Sequence, residues 1–577
     1  MKIIKLFGLL VLLHFVACKK TSLNTNNSTQ LQSLIQEYEH PRVYDFKINE
    51  SVERTIQYYQ NEADFASDLK EKLAAISENG LSETDKISKE LLLFVLQDKI
   101  DYNTYKSYLN PITNEIAFHL NLGEMGNRVL ENKDDIHAYL SDLDSLPLSI
   151  DYNINLLKAG IEEGISQPKA VFYEYENTYD KHIVADVTKS EFYKPFRQLP
   201  TSLSTEEKDS IISIAKASVQ KNAINQYKKI KTFFEEDYFL NTRKGLGVDT
   251  TPNGTEFYQN RINYYTTSTE YTAEDIHNIG LKEVARIKAE MQKIIDELGF
   301  KGSFADFLQF LRTDEQFYAK TPKELLMFAR DIAKRIDAEL PKFFKTLPRK
   351  PYGVVPVPAA IAPNYTGGRY SPSQSETTAG FYWVNTYNLP SRTLYTIPAL
   401  TAHEAVPGHH LQISLNNELP ETIPQFRRNL YLSAYGEGWG LYAEYLVDEM
   451  NIYTTKYEKF GQLTYEMWRA CRLVVDTGIH AKGWTRQQVI DYMAANTALS
   501  IHEVTTETDR YISWPGQALS YKMGELKIRE MRKKAASELG DKFDIREFHE
   551  VILEEGTVTL SILESRIENY IAKKQHE

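Results

Sequence analysis

From Ile87 onward, the apolar residues of this chain recur every three or four positions, a spacing that puts them on one face of an α-helix. The pattern predicts helices over Ile87–Ile100, Val284–Leu298 and Pro322–Ala338. One segment refuses it. Tyr352 to Pro363 (YGVVPVPAAIAP) is extended, because its prolines exclude a helix. A Gly/Ser/Thr loop follows, and then Phe381 to Asn385, whose aromatic and β-branched side chains suit a strand. With 577 residues, 42% of them hydrophobic, the chain can bury a large core. The expected fold is mainly α, one helical body over residues 31–577 with a small β element just before residue 400.

The first residues read as an export signal. Lys2 and Lys5 precede an apolar run from Leu6 to Ala17, too short to span a bilayer, and Cys18 follows. Residues 1–18 resemble a bacterial lipoprotein signal, with Cys18 as the lipidated residue and Phe15 in place of the usual Leu. The competing readings are an ordinary cleaved signal and a weak membrane anchor. The Asn/Ser/Thr-rich stretch over residues 19–30 reads as a flexible tether. An exported protein, lipid-anchored to the cell envelope, is the expectation. With Cys18 lipidated, Cys471 has no disulfide partner and is expected to be a buried helix residue. A net charge of −12 argues against nucleic acid as a partner, and Arg532-Lys533-Lys534 reads as a solvated helix end.

The chemistry concentrates in Leu400–Leu415, which carries His403, Glu404, His409 and His410. A zinc-binding helix places two histidines four apart, with a glutamate beside the first. Here position 407 is proline. On a regular helix, a step of six turns His409 about 240° away from His403, and a step of seven lifts His410 by about 10 Å. Pro407-Gly408 resolves the conflict, since neither residue favours a regular helix and a bulge or broken turn can return His409 to His403. His409 is the preferred second ligand and His410 the alternative. Glu437 is the expected third ligand, because a carboxylate on an apolar helix is costly without a cation. The competing reading pairs Glu437 with Arg427 or Arg428. Glu444, two turns further along the same face, is expected to orient a ligand histidine. Glu404 is the expected general base beside one zinc ion.

His-Glu-x-x-x-Gly-His followed by Glu-Gly-Trp-x-x-Tyr-x-Glu resembles the bacterial domain-of-unknown-function eight-eight-five family, over most of residues 30–570. More distantly, the site helices are similar to the thimet oligopeptidase and carboxypeptidase Taq clan, where His-Glu-Phe-Gly-His precedes a helix bearing a glutamate ligand. This chain has two more residues between His-Glu and Gly-His. The resemblance implies a metallopeptidase fold with a deep cleft, His403, His409 and Glu437 on zinc, Glu404 as base, and short peptides as substrates. It also implies that a Gly- and Tyr-rich stretch near the C-terminus faces the site. Tyr521 is then the expected oxyanion donor, with a purely structural tyrosine as the alternative, and Arg510 a carboxylate binder.

Four further candidates come from position alone. Arg472, Asp476 and His480 share one helical face, so His480 is a candidate transition-state group and Asp476 its support; a satisfied polar stripe is the alternative. Asn385 and Arg392 precede the metal segment, and an edge strand there can pair with an extended peptide. The expected function is zinc-dependent peptide hydrolysis. The alternatives are hydrolysis of a non-peptide amide or ester, and a lipid-anchored binding protein with a degenerate metal site.

Overall fold

The computed structural model describes residues 27–359, 361–362 and 365–577. The signal over residues 1–18, Cys18 and residues 19–26 of the tether lie outside the described residues. Residues 27–30 correct the tether reading, because they are helical and belong to a helix that ends at residue 39. Leu31 and Ile35, four apart, are buried against Leu69, Leu73 and Leu92. Packing of that face overrides the polar composition around it.

The fold is mainly α, as the periodicity indicates. The segment around Ile87 lies in the helix Glu83–Thr104, and the next two lie in α1 (Ala273–Leu298) and α2 (Pro322–Phe343). Each extends past its apolar stripe to a cap. α1 opens on a Thr272/Asp275 capping box and closes at Gly299, while α2 opens on Thr321 with Pro322 in the first turn.

A three-stranded sheet follows α2: β1 (Tyr352–Pro356), β2 (Gly368–Ser371) and β3 (Gly380–Val384), in the order β1-β3-β2. β3 runs parallel to β1, with Tyr352 opposite Gly380, and antiparallel to β2, with Gly368 opposite Val384. This corrects two expectations. The Gly/Ser/Thr loop contains a strand, β2, and β3 is central, so it has no free edge to offer a peptide.

The site helices come next: α3 (Ile397–Glu404), α4 (His409–Asn417), α5 (Ser433–Glu449), α6 (Lys456–Lys482), α7 (Ile501–Ser513) and α8 (Ser520–Leu539). One apolar core joins Ala402, Val406 and Leu411 to Trp439, Tyr442 and Leu446, fixing α3, α4 and α5 together. Another packs Met467, Cys471 and Val474 of α6 on Ile287 and Met291 of α1. Cys471 is buried as expected, and burial pushes its thiol up, away from the reactive thiolate. Among the described residues, no helix is long and apolar enough to cross a membrane.

Candidate metal centre

α3 ends at Glu404 and α4 starts at His409, so the expected bulge is a full break between two helices. The break is held by Gly408, whose N–H donates to Ala402 O at 2.9 Å. A Cβ at position 408 would fall 2.0 Å from His403 O, so only glycine permits this approach. The turn brings the rings of His403 and His409 to 4.7 Å between centroids, nearly perpendicular. His410 points elsewhere: its Nδ1 lies 3.0 Å from Tyr370 Oη and 3.2 Å from Ser414 Oγ, and burial lowers it to about 4. The geometry therefore selects His409.

Glu437, on α5, completes the group. Its Oε2 lies 3.4 Å from Nε2 of both His403 and His409, and one ligand atom from each of the three residues falls within 4.8 Å of the others. Gly440, one turn on, leaves room for the imidazole, since a Cβ there would sit 2.7 Å from His403 Cε1. Trp439 ties α5 to the break by donating from Nε1 to Pro407 O at 2.8 Å. The competing pairing of Glu437 fails. Arg427 bonds Glu555 at 2.7 Å, and Arg428 donates to Ile423 O.

Glu444 sits where its seven-residue spacing from Glu437 puts it. Its Oε1 lies 2.7 Å from His403 Nδ1, which turns Nε2 towards Glu437. Burial disfavours an imidazolium at His403, but the carboxylates of Glu437 and Glu444 outweigh it and push His403 up to about 10. Burial also opposes a charged Glu437, yet His409 and His403 hold its carboxyl well below the usual range. Carboxylates thus flank the His403 imidazole, Glu444 buried and Glu437 half-buried, an arrangement that suits a cation. The His₂Glu set, the paired second nitrogen of His403 and the open side towards the cleft fit a zinc ion.

The group lies in a cleft of about 970 Å³ that Glu404 also lines. Glu404 Oε2 accepts the backbone N–H of Tyr370, on β2, at 2.8 Å. That N–H points away from β3, so β2 turns its free edge towards Glu404. Tyr431 donates to Glu437 Oε1 at 3.0 Å. Neither Tyr370 nor Tyr431 stood out in the sequence, where 37 tyrosines mask any one of them.

The other expected residues divide. Tyr521, Arg392 and Arg510 line the cleft. Asn385 also borders it, but its amide donates to Ala362 O, Tyr365 O and Thr366 O, so it shapes the loop before β2 and leaves no amide hydrogen for substrate. His480 and Asp476 are corrections, since neither lines the cleft. His480 accepts from Val248 N and bonds Tyr511 O, while Asp476 accepts from Tyr258 Oη and Gly516 N. The polar stripe of α6 splits there: Arg469 and Arg472 face the cleft, and the next two turns face a packed helix interface.

The family described as "Bacterial protein of unknown function (DUF885)" matches residues 49–567. Among curated proteins, no sequence matches. The fold is similar to the crystal structure of a "putative lipoprotein" from Colwellia psychrerythraea, with 27% identity, a TM-score of 0.81, and 96% of this chain and 99% of that one covered. It also resembles a "putative lipoprotein of unknown function" from Shewanella oneidensis, with a TM-score of 0.67 over 95% and 98% of the two chains. At 18% identity, the second likeness speaks for the fold alone.

Proposed function

Because the chain belongs to the DUF885 family of bacterial proteins of unknown function, and its site unites two histidines and two glutamates, we propose that it is a zinc-dependent peptidase acting on short peptides. The observation that carries the reading is the convergence of His403, His409 and Glu437 on one point, with Glu404 on the wall of the same cleft.

His403, His409 and Glu437 hold the ion, and Glu444 fixes the ring of His403. When bound, zinc acidifies water and polarises the scissile carbonyl. Glu404, steadied by the Tyr370 N–H through one oxygen, accepts the proton of water with the other and delivers it to the leaving amine. The Tyr521 hydroxyl donates to the developing oxyanion from the cleft wall. The free edge of β2 runs along Glu404 and offers backbone groups to an extended peptide. A volume of about 970 Å³ admits a few residues and excludes a folded domain. Lipidation of Cys18 anchors the enzyme to the cell envelope, a reading supported by the charged and apolar run before it and by the descriptions of the similar structures.

Mass-spectrometric profiling of a mixed peptide library with zinc-loaded protein tests the reading. Cleavage is expected with the native chain and not with Glu404→Gln, which keeps its zinc. An intact library after incubation with the native chain contradicts it.

A further inference from the structure

One sector of the cleft wall gathers guanidinium groups whose nitrogens are not all paired. α6 contributes Arg469 and Arg472, α7 contributes Glu503, Glu507 and Arg510, and the loop before α3 contributes Arg392. Arg472 donates from Nε to Tyr511 Oη at 2.9 Å and lies 3.1 Å from Glu507, but its buried Nη1 has no partner. Arg510 donates to Gln517 Oε1 and lies 3.5 Å from Glu507, with its buried Nε unpaired. Arg469 sits 3.6 Å from Glu444, again with an unpaired Nε. The Arg392 side chain makes no hydrogen bond or ion pair among the described residues, and its Nε is buried without a partner. Burial lowers its guanidinium from the ordinary value. Glu503 and Glu507 stand among these guanidiniums, with Glu444 beside Arg469 and Glu115 beside Arg510, so it is the unpaired nitrogens that mark the sector; burial with the neighbouring Glu507 raises Glu503 to about 7.

The sector adjoins the metal centre through Tyr521. The Arg472 guanidinium lies 4.4 Å from the Tyr521 ring centre, and Arg510 and Tyr521 line the same cleft. Tyr431, which donates to Glu437 Oε1, lines the same cleft as Tyr521. An unpaired buried cation is costly, and a guanidinium with free N–H groups matches the two oxygens of a carboxylate. We propose that Arg392, Arg472 and Arg510 receive a carboxylate of the substrate, its free C-terminus or an acidic side chain, and so place the scissile bond close to that anion. The proposal rests on the peptidase reading above and names its substrate class.

The test is calorimetric titration of Glu404→Gln protein, in which peptides stay intact. The probes are N-acetyl-trialanine as free acid, the same peptide as C-terminal amide, and N-acetyl-Ala-Ala-Glu amide. At least one carboxylate-bearing peptide is expected to bind about tenfold tighter than the neutral amide. Preference for the free acid alone assigns the C-terminal carboxylate, and preference for the glutamyl amide assigns an acidic side chain. Arg392→Gln should abolish the preference and Arg392→Lys restore part of it, with melting curves confirming that both fold. Equal binding of all three peptides, no binding of any, or a preference that survives Arg392→Gln overturns the proposal. The two readings fail separately. Library cleavage without carboxylate preference sinks this inference alone, whereas a binding preference without cleavage sinks the peptidase reading alone.

Discussion

Glu444 Oε1 lies 2.7 Å from His403 Nδ1, and Glu444 is wholly buried. The contact leaves Nε2 of His403 as the nitrogen that faces Glu437 and His409. A carboxylate in this position fixes the ring's orientation and raises its basicity as a ligand. Glu444→Gln is therefore expected to weaken zinc binding about 10- to 100-fold, read by competition with a chelator of known affinity. Unchanged affinity would remove Glu444 from the centre.

Gly440 gives a steric test of the same helix face. A methyl group there would meet His403 Cε1 at 2.7 Å and Nε2 at 2.8 Å, well inside contact distance. Because Cys471 and the other core residues are untouched, Gly440→Ala should lower zinc occupancy far more than it lowers the melting temperature of the zinc-free protein. Full occupancy in that variant would show that His403 can vacate its place at little cost.

The cluster of His403, His409 and Glu437 was legible in the sequence because the histidine spacing conflicts with a regular helix. Pro407-Gly408 marks the break, and the break, with α4 restarting at His409, decides between His409 and His410. Glu437 and Glu444 were legible because an apolar helix has no other use for two carboxylates on one face. β2 was hidden: four residues of mixed polarity form a strand only because β3 lies alongside to pair with them. The tether boundary was misplaced for a related reason, since Leu31 and Ile35 find a tertiary surface that composition does not reveal. His480 and Asp476 were assigned to the site from helical phase alone. Phase places them with Arg472, but two turns separate His480 from the cleft wall, and there the stripe meets Val248 and Tyr258 instead.

That correction carries its own test. Burial depresses His480 to about 3, well below the ordinary histidine value near 6.5. A group whose folded pKa is depressed in this sense binds its proton mainly in the unfolded chain. Its contribution is complete above about pH 6.5 and is lost as the pH falls from there towards 3. His480→Gln is expected to cost about 1–3 kcal/mol at neutral pH, by loosening the contacts to Val248 and Tyr511. It should also flatten the acid limb of the melting-temperature profile and leave zinc stoichiometry unchanged. Loss of zinc in this variant would return His480 to the site.

The central claim is that His403, His409 and Glu437 form a zinc centre. X-ray diffraction from zinc-soaked crystals, recorded on both sides of the zinc absorption edge, tests it most directly. An anomalous peak equidistant from His403 Nε2, His409 Nε2 and a Glu437 carboxylate oxygen, at about 2.0–2.2 Å from each, is the expected result. Density showing the three side chains still in mutual contact with no anomalous peak between them, in protein saturated with zinc, would contradict it.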